Sequence, residues 1–298
     1  MNVLSLFDGM SGGRLALDLA GIEVENYYAC EIDKNAITVS SKNYPDIIQL
    51  GDVTKLDLDK LPKIDLLIGG SPCQGFSMMG KRLNFDDSRS KLFFDFVKIL
   101  KELKPKYFML ENVKMRKDFI KIINEYMGCE AVEIDSRLFS AQSRKRLYWT
   151  NIPIAPIPTE DHQTKVIDIL QTDEEIGDFK EYPVSYFKYG NATEYFANNW
   201  KDGVFNYSSS GRGDKGVHGR FNYAYKALTL TAKGYGSRST TAVMTGPETW
   251  RKLTIPEWER LQVVPSGYTD HVSNNQRQMT LGNGWTTSVI AHIFKGLK

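Results

Sequence analysis

The chain has 298 residues, 41% of them hydrophobic, enough for one large domain plus a smaller one around a real core. Its net charge is only +2, so any footprint on nucleic acid has to be local. No apolar run of about eighteen residues occurs, which excludes a membrane-spanning helix. Cys30, Cys73 and Cys129 are odd in number, far apart and without paired metal spacing, so neither disulfides nor a metal site are expected. A reduced, cytoplasmic setting is expected and, from the strand-like start at Asn2, no signal peptide is expected.

Val3 to Leu6 reads as a strand, Phe7-Asp-Gly-Met-Ser-Gly-Gly13 as a glycine-rich turn, and the next stretch with Leu15, Leu17, Leu19 and Ala20 as a helix. Strand, glycine turn and helix open a nucleotide-type α/β unit, although tight turns also occur with no ligand nearby. Tyr27 to Cys30 is a second strand, ending at Glu31, about twenty residues on, where such units place a ribose-binding acid. A third unit, Ile47 to Leu50, ends at Gly51-Asp52-Val53.

Ile64 to Ile68 is an apolar run of the fully buried kind, and Gly69-Gly-Ser-Pro-Cys-Gln-Gly-Phe-Ser77 comes directly after it. Cys73 therefore lies just past a strand's carboxyl end, the place where open α/β sheets collect ligands. Pro72 restricts the backbone ahead of the thiol, so Cys73 is either a positioned nucleophile or a buried small hydrophobe. Residues 76–91 are rich in Gly, Ser, Asp, Lys and Arg and read as a loop, either an ordinary surface connection or a lid. In a lid, Lys81, Arg82, Arg89 and Lys91 would meet phosphates. A helix begins at Leu92, with Phe93, Phe96, Val97 and Leu100 as its core stripe.

Lys106 to Leu110 is another strand, and it ends in Glu111-Asn112-Val113, where the carboxylate is either a solvated loop acid or a site residue. A helix over Arg116–Met127 and a strand over Ala131–Ile134 precede Gln142-Ser-Arg-Lys-Arg146, a basic run that in isolation would be a solvated face. The last strand of the first domain is Arg146–Asn151, and Pro153, Pro156 and Pro158 punctuate a linker. Aromatics and glycines then dominate as far as Arg220, which suggests a small, mainly irregular β domain. Thr254 caps a helix with Pro256 in its first turn, and Leu281-Gly-Asn-Gly-Trp-Thr286 leads into an apolar helix carrying Val289, Ile290, Ile293 and Phe294. The expected domains are 1–153, 154–250 and a return to the first over 251–298.

Pro72-Cys73-Gln74, Glu111-Asn112-Val113 and Gln142-x-Arg144-x-Arg146, in this order, resemble the DNA (cytosine-5)-methyltransferase family. The resemblance covers nearly the whole chain. From about Asn151 to Pro247 it is carried only by threonine-rich pieces at Ala227–Ala232 and Thr240–Val243. It implies an α/β, Rossmann-like class I methyltransferase sheet, mostly parallel with one antiparallel strand and with helices on both faces, plus a small target-recognition domain. It also implies S-adenosyl-L-methionine as cofactor and S-adenosyl-L-homocysteine as product. Phe7 and Gly9 would line the methionine and adenine region, Glu31 would take the ribose hydroxyls and Asp52 the adenine amino group. Leu92 would add a contact, and Asn283 would complete the pocket. Ser11 stands where the family's Phe-x-Gly-x-Gly-Gly pattern has its middle glycine, and Gly284-Trp285 replaces a small residue and valine.

In the chemistry that the resemblance implies, the Cys73 thiolate adds to cytosine carbon-6 and carbon-5 then attacks the methyl donor. Glu111 would donate to ring nitrogen-3, Arg146 would bind the ring carbonyl, and Arg144 would support it or meet backbone. Attack on the ring face requires the base to leave the duplex. The implied partner is double-stranded DNA, met by a monomer through Lys81, Arg82 and Arg89 and, in the target domain, Arg212, Lys215, Arg220 and Arg238. A cognate restriction endonuclease, a solitary role and phage self-protection all stay open. Two rivals remain: transfer RNA cytosine methylation, and a silent DNA-binding homologue. The second usually lacks the nucleophile or the acid, and both are present here.

Overall fold

The computed structural model describes residues 1–72, 88–161, 164–187, 192–199, 201, 203–209, 219–232 and 239–297. The chain divides into two compact units. The first comprises Met1–Asp135, Lys145–Pro158 and Thr287–Lys298, the second Ser136–Arg144 and Thr159–Thr286.

The first unit runs β1 (Asn2–Leu6), α1 (Gly12–Ala20), β2 (Asn26–Cys30), α2 (Lys34–Asn43), β3 (Ile48–Gln49), β4 (Leu66–Gly70), α3 (Ser88–Leu103), β5 (Tyr107–Val113), α4 (Lys117–Met127), β6 (Val132–Asp135) and β7 (Lys145–Thr150). Its seven strands lie in the order β3-β2-β1-β4-β5-β7-β6. All are parallel except β7, which pairs antiparallel with both β5 and β6. The order reverses between β1 and β4, so the crevice past their carboxyl ends is the topological switch point. The Phe7 turn and the Ser71-Pro72 segment both emerge there.

Leu4, Leu6, Leu67, Leu110, Leu147 and Trp149 cover one face of the sheet, and Phe93, Phe96 and Val97 of α3 with Phe119, Ile123 and Met127 of α4 pack onto it. Gly69 has no side chain for a reason. A Cβ there would lie 2.8 Å from the Leu6 carbonyl oxygen and 3.1 Å from the Phe96 ring. Helix α3 begins at Ser88, inside the stretch expected to be loop. Leu19, one of the apolar residues of α1, is 55% exposed, while that helix buries Leu15, Ala16, Leu17 and Ala20.

The second unit contains α5 (Asp173–Ile176), β8 (Tyr182–Pro183), α6 (Ala192–Asn199), β9 (Val204–Ser209), β10 (Gly219–Tyr223), β11 (Ser239–Met244), β12 (Thr249–Lys252), α7 (Ile255–Gln262) and α8 (Asn274–Asn283). Its strands form an antiparallel sheet ordered β10-β9-β11-β12-β8. Trp250 is the hub of its core, stacked on Tyr182 at 4.7 Å and on Phe187 at 5.1 Å between ring centroids. The expected Thr254 cap is present, as a capping box with Glu257 and with Pro256 in the first turn.

The return to the first unit, expected from residue 251, begins by compactness only at Thr287. The acids of α7 explain the shift, because buried carboxylates need partners and these find theirs within the second unit. Glu257 pairs with Arg251 at 2.8 Å, and Glu259 accepts from the backbone N–H of Thr269 and Gly267 and from Arg277. The final helix, α9 (Thr287–Phe294), packs on α1 and buries Val289, Ile290, Ile293 and Phe294. No helix among the described residues is long and apolar enough to cross a membrane, and no group of His, Cys, Asp and Glu among them is arranged to hold a metal ion.

Candidate active site

The turn after β1 is built from left-handed residues. Phe7, Gly9 and Ser11 have φ of 58°, 61° and 60°. For Phe7 and Ser11 that geometry costs about 1 to 2 kcal/mol each, a strain that proteins keep at functional sites when the surroundings hold it. Here Asp8 N–H donates to the Cys30 carbonyl at 3.1 Å, and Gly9 N–H donates to Glu31 Oε2 at 2.8 Å. Glu31 Oε1 in turn accepts from Ile32 N–H at 2.7 Å and Asp33 N–H at 2.9 Å. Three of a carboxylate's roughly four acceptor positions are thus engaged, which orients the group and leaves capacity for one hydroxyl.

A Cβ built on Gly9 or on Gly51 would meet nothing within 4 Å, so both loops face open space. Asp52, just after Gly51, accepts from Thr54 N–H at 3.0 Å and from its hydroxyl at 2.8 Å. These bonds hold the Asp52 carboxyl below its ordinary range, which keeps it an acceptor. Two oriented acids at adjacent strand ends beside open space fit a ribose diol and an amino-bearing base, the two polar features of an adenosine moiety. Ile32 was missed by sequence reasoning: it is 73% exposed directly after Glu31. Its signal was an isoleucine lodged between a strand-end acid and the Asp33 helix cap, where no core position exists. Leu92 is partly buried against the core of the first unit. Asn283, the last residue of α8, is exposed in the second unit.

Beneath the turn, Asp8 accepts from Tyr27 Oη at 2.7 Å and from Ser11 Oγ, and burial pushes its carboxyl up to about 6. By linkage, a carboxyl raised in the folded state contributes stability below its ordinary value of 3.8, and loses it as the pH rises through about 6. The full shift corresponds to about 3 kcal/mol, and the partial exposure of Asp8 trims this to about 2 kcal/mol. Urea unfolding of wild type between pH 4 and 7 is therefore expected to show a loss of this size relative to Asp8→Asn. Parallel pH profiles for the two proteins would rule it out.

The reactive end lies on β4, β5 and β7. Strand β5 does not stop before Glu111 as expected. It continues through Glu111, Asn112 and Val113, because β7 pairs with it antiparallel as far as Val113 opposite Arg146. Glu111 lies opposite Tyr148, so Glu111 and Arg146 project from the same face as diagonal neighbours. Arg146 Nε and Glu111 Oε1 are 3.0 Å apart, with side chains only 15% and 11% exposed. Asn112 points to the opposite face and does a different task. Its Nδ2 donates to the Ser71 carbonyl at 3.2 Å and to Ser71 Oγ at 3.1 Å. The segment entering Pro72-Cys73 is thereby tied to β5 two residues before the thiol.

Cys73 itself lies outside the described residues, as do Lys81, Arg82, Arg212, Lys215 and Arg238 and the side chains of Arg89 and Arg220. Lys91 is exposed in the first turn of α3. Burial pushes the Cys30 thiol up to about 12 and raises Cys129 as well, so neither supplies a thiolate near neutral pH.

Arg144 does not join Arg146. It is buried in the second unit, with Nη1 donating to the Leu230 carbonyl at 2.7 Å and Nη2 to those of Gly282 at 3.1 Å and Gly284 at 2.9 Å. Gln142, fully buried, acts beside it, with Oε1 accepting from Leu230 N–H at 3.0 Å and Nε2 donating to the Leu261 carbonyl at 3.3 Å. Gly282 backs directly onto the threonine-rich segment, since a Cβ there would lie 2.3 Å from the Thr231 carbonyl carbon. The Gln-x-Arg-x-Arg motif thus splits, with two residues securing the second unit and one facing Glu111.

The family model for C-5 cytosine-specific DNA methylases matches residues 1–298. Type II methyltransferase M1.ScrFI of Lactococcus lactis subsp. cremoris is 32% identical over 313 residues, covering 98% of this chain and 76% of that one. Orphan methyltransferase M.SPRI of Bacillus phage SPR is 38% identical over 186 residues, covering 57% of this chain and 42% of that longer protein. Among solved structures, Entamoeba histolytica methyltransferase EhMeth superposes with a TM-score of 0.69 at 18% identity, covering 100% of this chain and 99% of that one, a likeness of fold. A match over the full length, on a sheet whose β5 and β7 carry the paired acid and arginine, places the chain in the C-5 cytosine-specific DNA methylase family, as a DNA (cytosine-5-)-methyltransferase.

Proposed function

We propose that the protein methylates carbon-5 of a cytosine extruded from duplex DNA: the Cys73 thiolate bonds transiently to carbon-6, carbon-5 takes the methyl group, and elimination follows, in which a base, for which water can serve, removes the carbon-5 proton and the thiolate leaves carbon-6. The observation that carries this reading is the Glu111–Arg146 pair at 3.0 Å, formed between β5, the neighbour of the β4 strand that leads to Cys73, and β7 on the far side of β5. A carboxylate beside a guanidinium offers a hydrogen-bond pattern suited to a pyrimidine edge. Glu111 holds a proton at ring nitrogen-3, and Arg146 donates to the ring carbonyl oxygen, which stabilises the charge that develops as the thiolate adds. Asn112, by gripping Ser71, sets the height from which the thiol approaches.

S-adenosyl-L-methionine, when bound, supplies an electrophilic methyl group. Phe7 and Gly9 would line its methionine and adenine region, and Glu31 and Asp52 would hold its ribose and adenine, because the turn is open above Gly9 and the two acids are already oriented. Leu92 and Asn283 are proposed as further contacts. Phosphate contacts are assigned to Lys81, Arg82 and Arg89, and base or phosphate contacts to Arg212, Arg220 and Arg238. The type II name of one relative supports a role beside a restriction endonuclease, and the orphan name of another supports a solitary one.

The test is methyl incorporation from labelled S-adenosyl-L-methionine into duplex DNA and into transfer RNA, followed by bisulfite sequencing of the DNA. Incorporation into duplex at one recurring sequence is expected. Incorporation confined to transfer RNA, or into neither, would remove this reading.

A further inference from the structure

A chain of hydrogen bonds runs under the Phe7–Gly13 turn. Gln49 Nε2 at the end of β3 donates to Ser40 Oγ on α2 at 3.2 Å, and the Ser40 and Ser11 hydroxyls lie 2.5 Å apart. Ser11 Oγ donates to Asp8 Oδ2 at 2.5 Å, while Tyr27 Oη on β2 donates to Asp8 Oδ1. Donor counting fixes the direction. An ionised carboxylate only accepts, so the single O–H of Ser11 goes to Asp8, and Ser11 must then receive the O–H of Ser40. Ser40 in turn receives the amide of Gln49. No member can be reversed without leaving two donors facing each other.

The elements joined in this way are the ones that carry the groups assigned to the cofactor. The turn holds Gly9, β2 ends at Glu31, and β3 leads to Asp52. Gly9 N–H, one residue from Asp8, is the contact that fixes Glu31 Oε2. Ser11 is fully buried and left-handed, with φ 60° and ψ 38°, a conformation that glycine adopts freely and serine does not. Glycine is also what the family's Phe-x-Gly-x-Gly-Gly pattern has at this position. A side chain is retained at an unfavourable backbone angle when its own contacts offset the strain, and the contacts of this hydroxyl are Asp8 and Ser40.

We propose that Ser11 and Asp8 are positioning residues for the cofactor. The hydrogen-bond chain sets where Gly9 N–H meets Glu31, and hence which carboxylate oxygen is presented to the ribose hydroxyls. The inference rests on Glu31 as the ribose acceptor, as proposed above. It assigns to the serine that departs from the family pattern a task that glycine cannot perform. The titratable groups facing Asp8 are Tyr27 and Cys30 from β2 and Glu31 from the end of that strand.

The experiment is calorimetric titration of the full chain with S-adenosyl-L-homocysteine, for wild type, Ser11→Gly, Ser11→Ala and Asp8→Asn, with a thermal melt of each protein alone. Ser11→Gly is expected to bind about tenfold more weakly, the loss expected from one hydrogen bond to a charged group. It should nevertheless melt within a few degrees of wild type, because the left-handed strain that glycine relieves offsets part of the hydroxyl's lost contacts. In turnover, the KM for S-adenosyl-L-methionine should rise by a similar factor while kcat stays within about twofold. Affinity of Ser11→Gly within twofold of wild type overturns the inference and leaves the cofactor site standing. Failure of wild type itself to bind overturns the site assignment and the inference with it. Should Ser11→Gly not fold, amide exchange at Gly9 in Asp8→Asn reads the same contact, with faster exchange expected and unchanged exchange overturning the proposal.

Discussion

Cys73→Ser is expected to lower methyl transfer by about four orders of magnitude while leaving the melting temperature within a few degrees of wild type. The thiol's advantage is acidity. A cysteine with an ordinary value near 8.5 has a few per cent thiolate at neutral pH, whereas a serine hydroxyl has effectively no alkoxide. The segment that enters the proposed nucleophile is held in place. Ser71 is buried and gripped by Asn112 through two hydrogen bonds, and the ring of Pro72 stiffens the backbone between that anchor and the thiol. Duplex carrying 5-fluorocytosine supplies the direct measurement, because fluorine at carbon-5 blocks the final elimination. Wild type should give a denaturation-resistant complex on a gel and Cys73→Ser none, and equal trapping by both would sink the covalent step.

The second large effect separates two arginines that the sequence presents as equivalent. Arg146→Ala is expected to reduce methyl transfer by about 10²- to 10³-fold, the range for removing one preorganised donor from a site where charge develops, with little change in stability. Arg144→Ala is expected to act the other way round, with destabilisation of about 3 to 5 kcal/mol. The difference lies in their partners. Arg146 meets Glu111 across two paired strands, whereas Arg144 supplies donors to the carbonyls of Leu230, Gly282 and Gly284, buried groups that lose those donors when it is removed. Single-turnover methyl transfer with chemical denaturation of each variant reads both axes. Equal melting temperatures for the two variants would refute the division. Glu111→Gln belongs with Arg146 and should lower turnover while preserving the fold, since glutamine keeps an acceptor for Arg146 Nε but holds no acidic proton.

Much of the architecture is legible in the order of residues because its signals are local. A strand buried on both faces has to be largely apolar, as β4 is, and a glycine turn between strand and helix marks the first α/β unit. The capping box at Thr254 is likewise a short-range pattern that the fold realises unchanged. Strand-end acids such as Glu31 and Asp52 are found by spacing alone, since each parallel strand delivers its last residue to the same edge of the sheet.

What the sequence by itself could not decide depends on pairing between distant segments. Antiparallel pairing of β5 with β7 carries Glu111 inside the strand and onto the face of Arg146. The break before β7 leaves Arg144, two residues earlier, bonded within a different compact unit. The assignment of residues 251–286 to the second unit turns on where the buried acids Glu257 and Glu259 find their partners. Spacing could not reveal why Ser11 replaces a glycine either, because its hydroxyl is satisfied by residues three and twenty-nine positions away. Local chemistry sets which elements form, and long-range pairing sets which side chains meet.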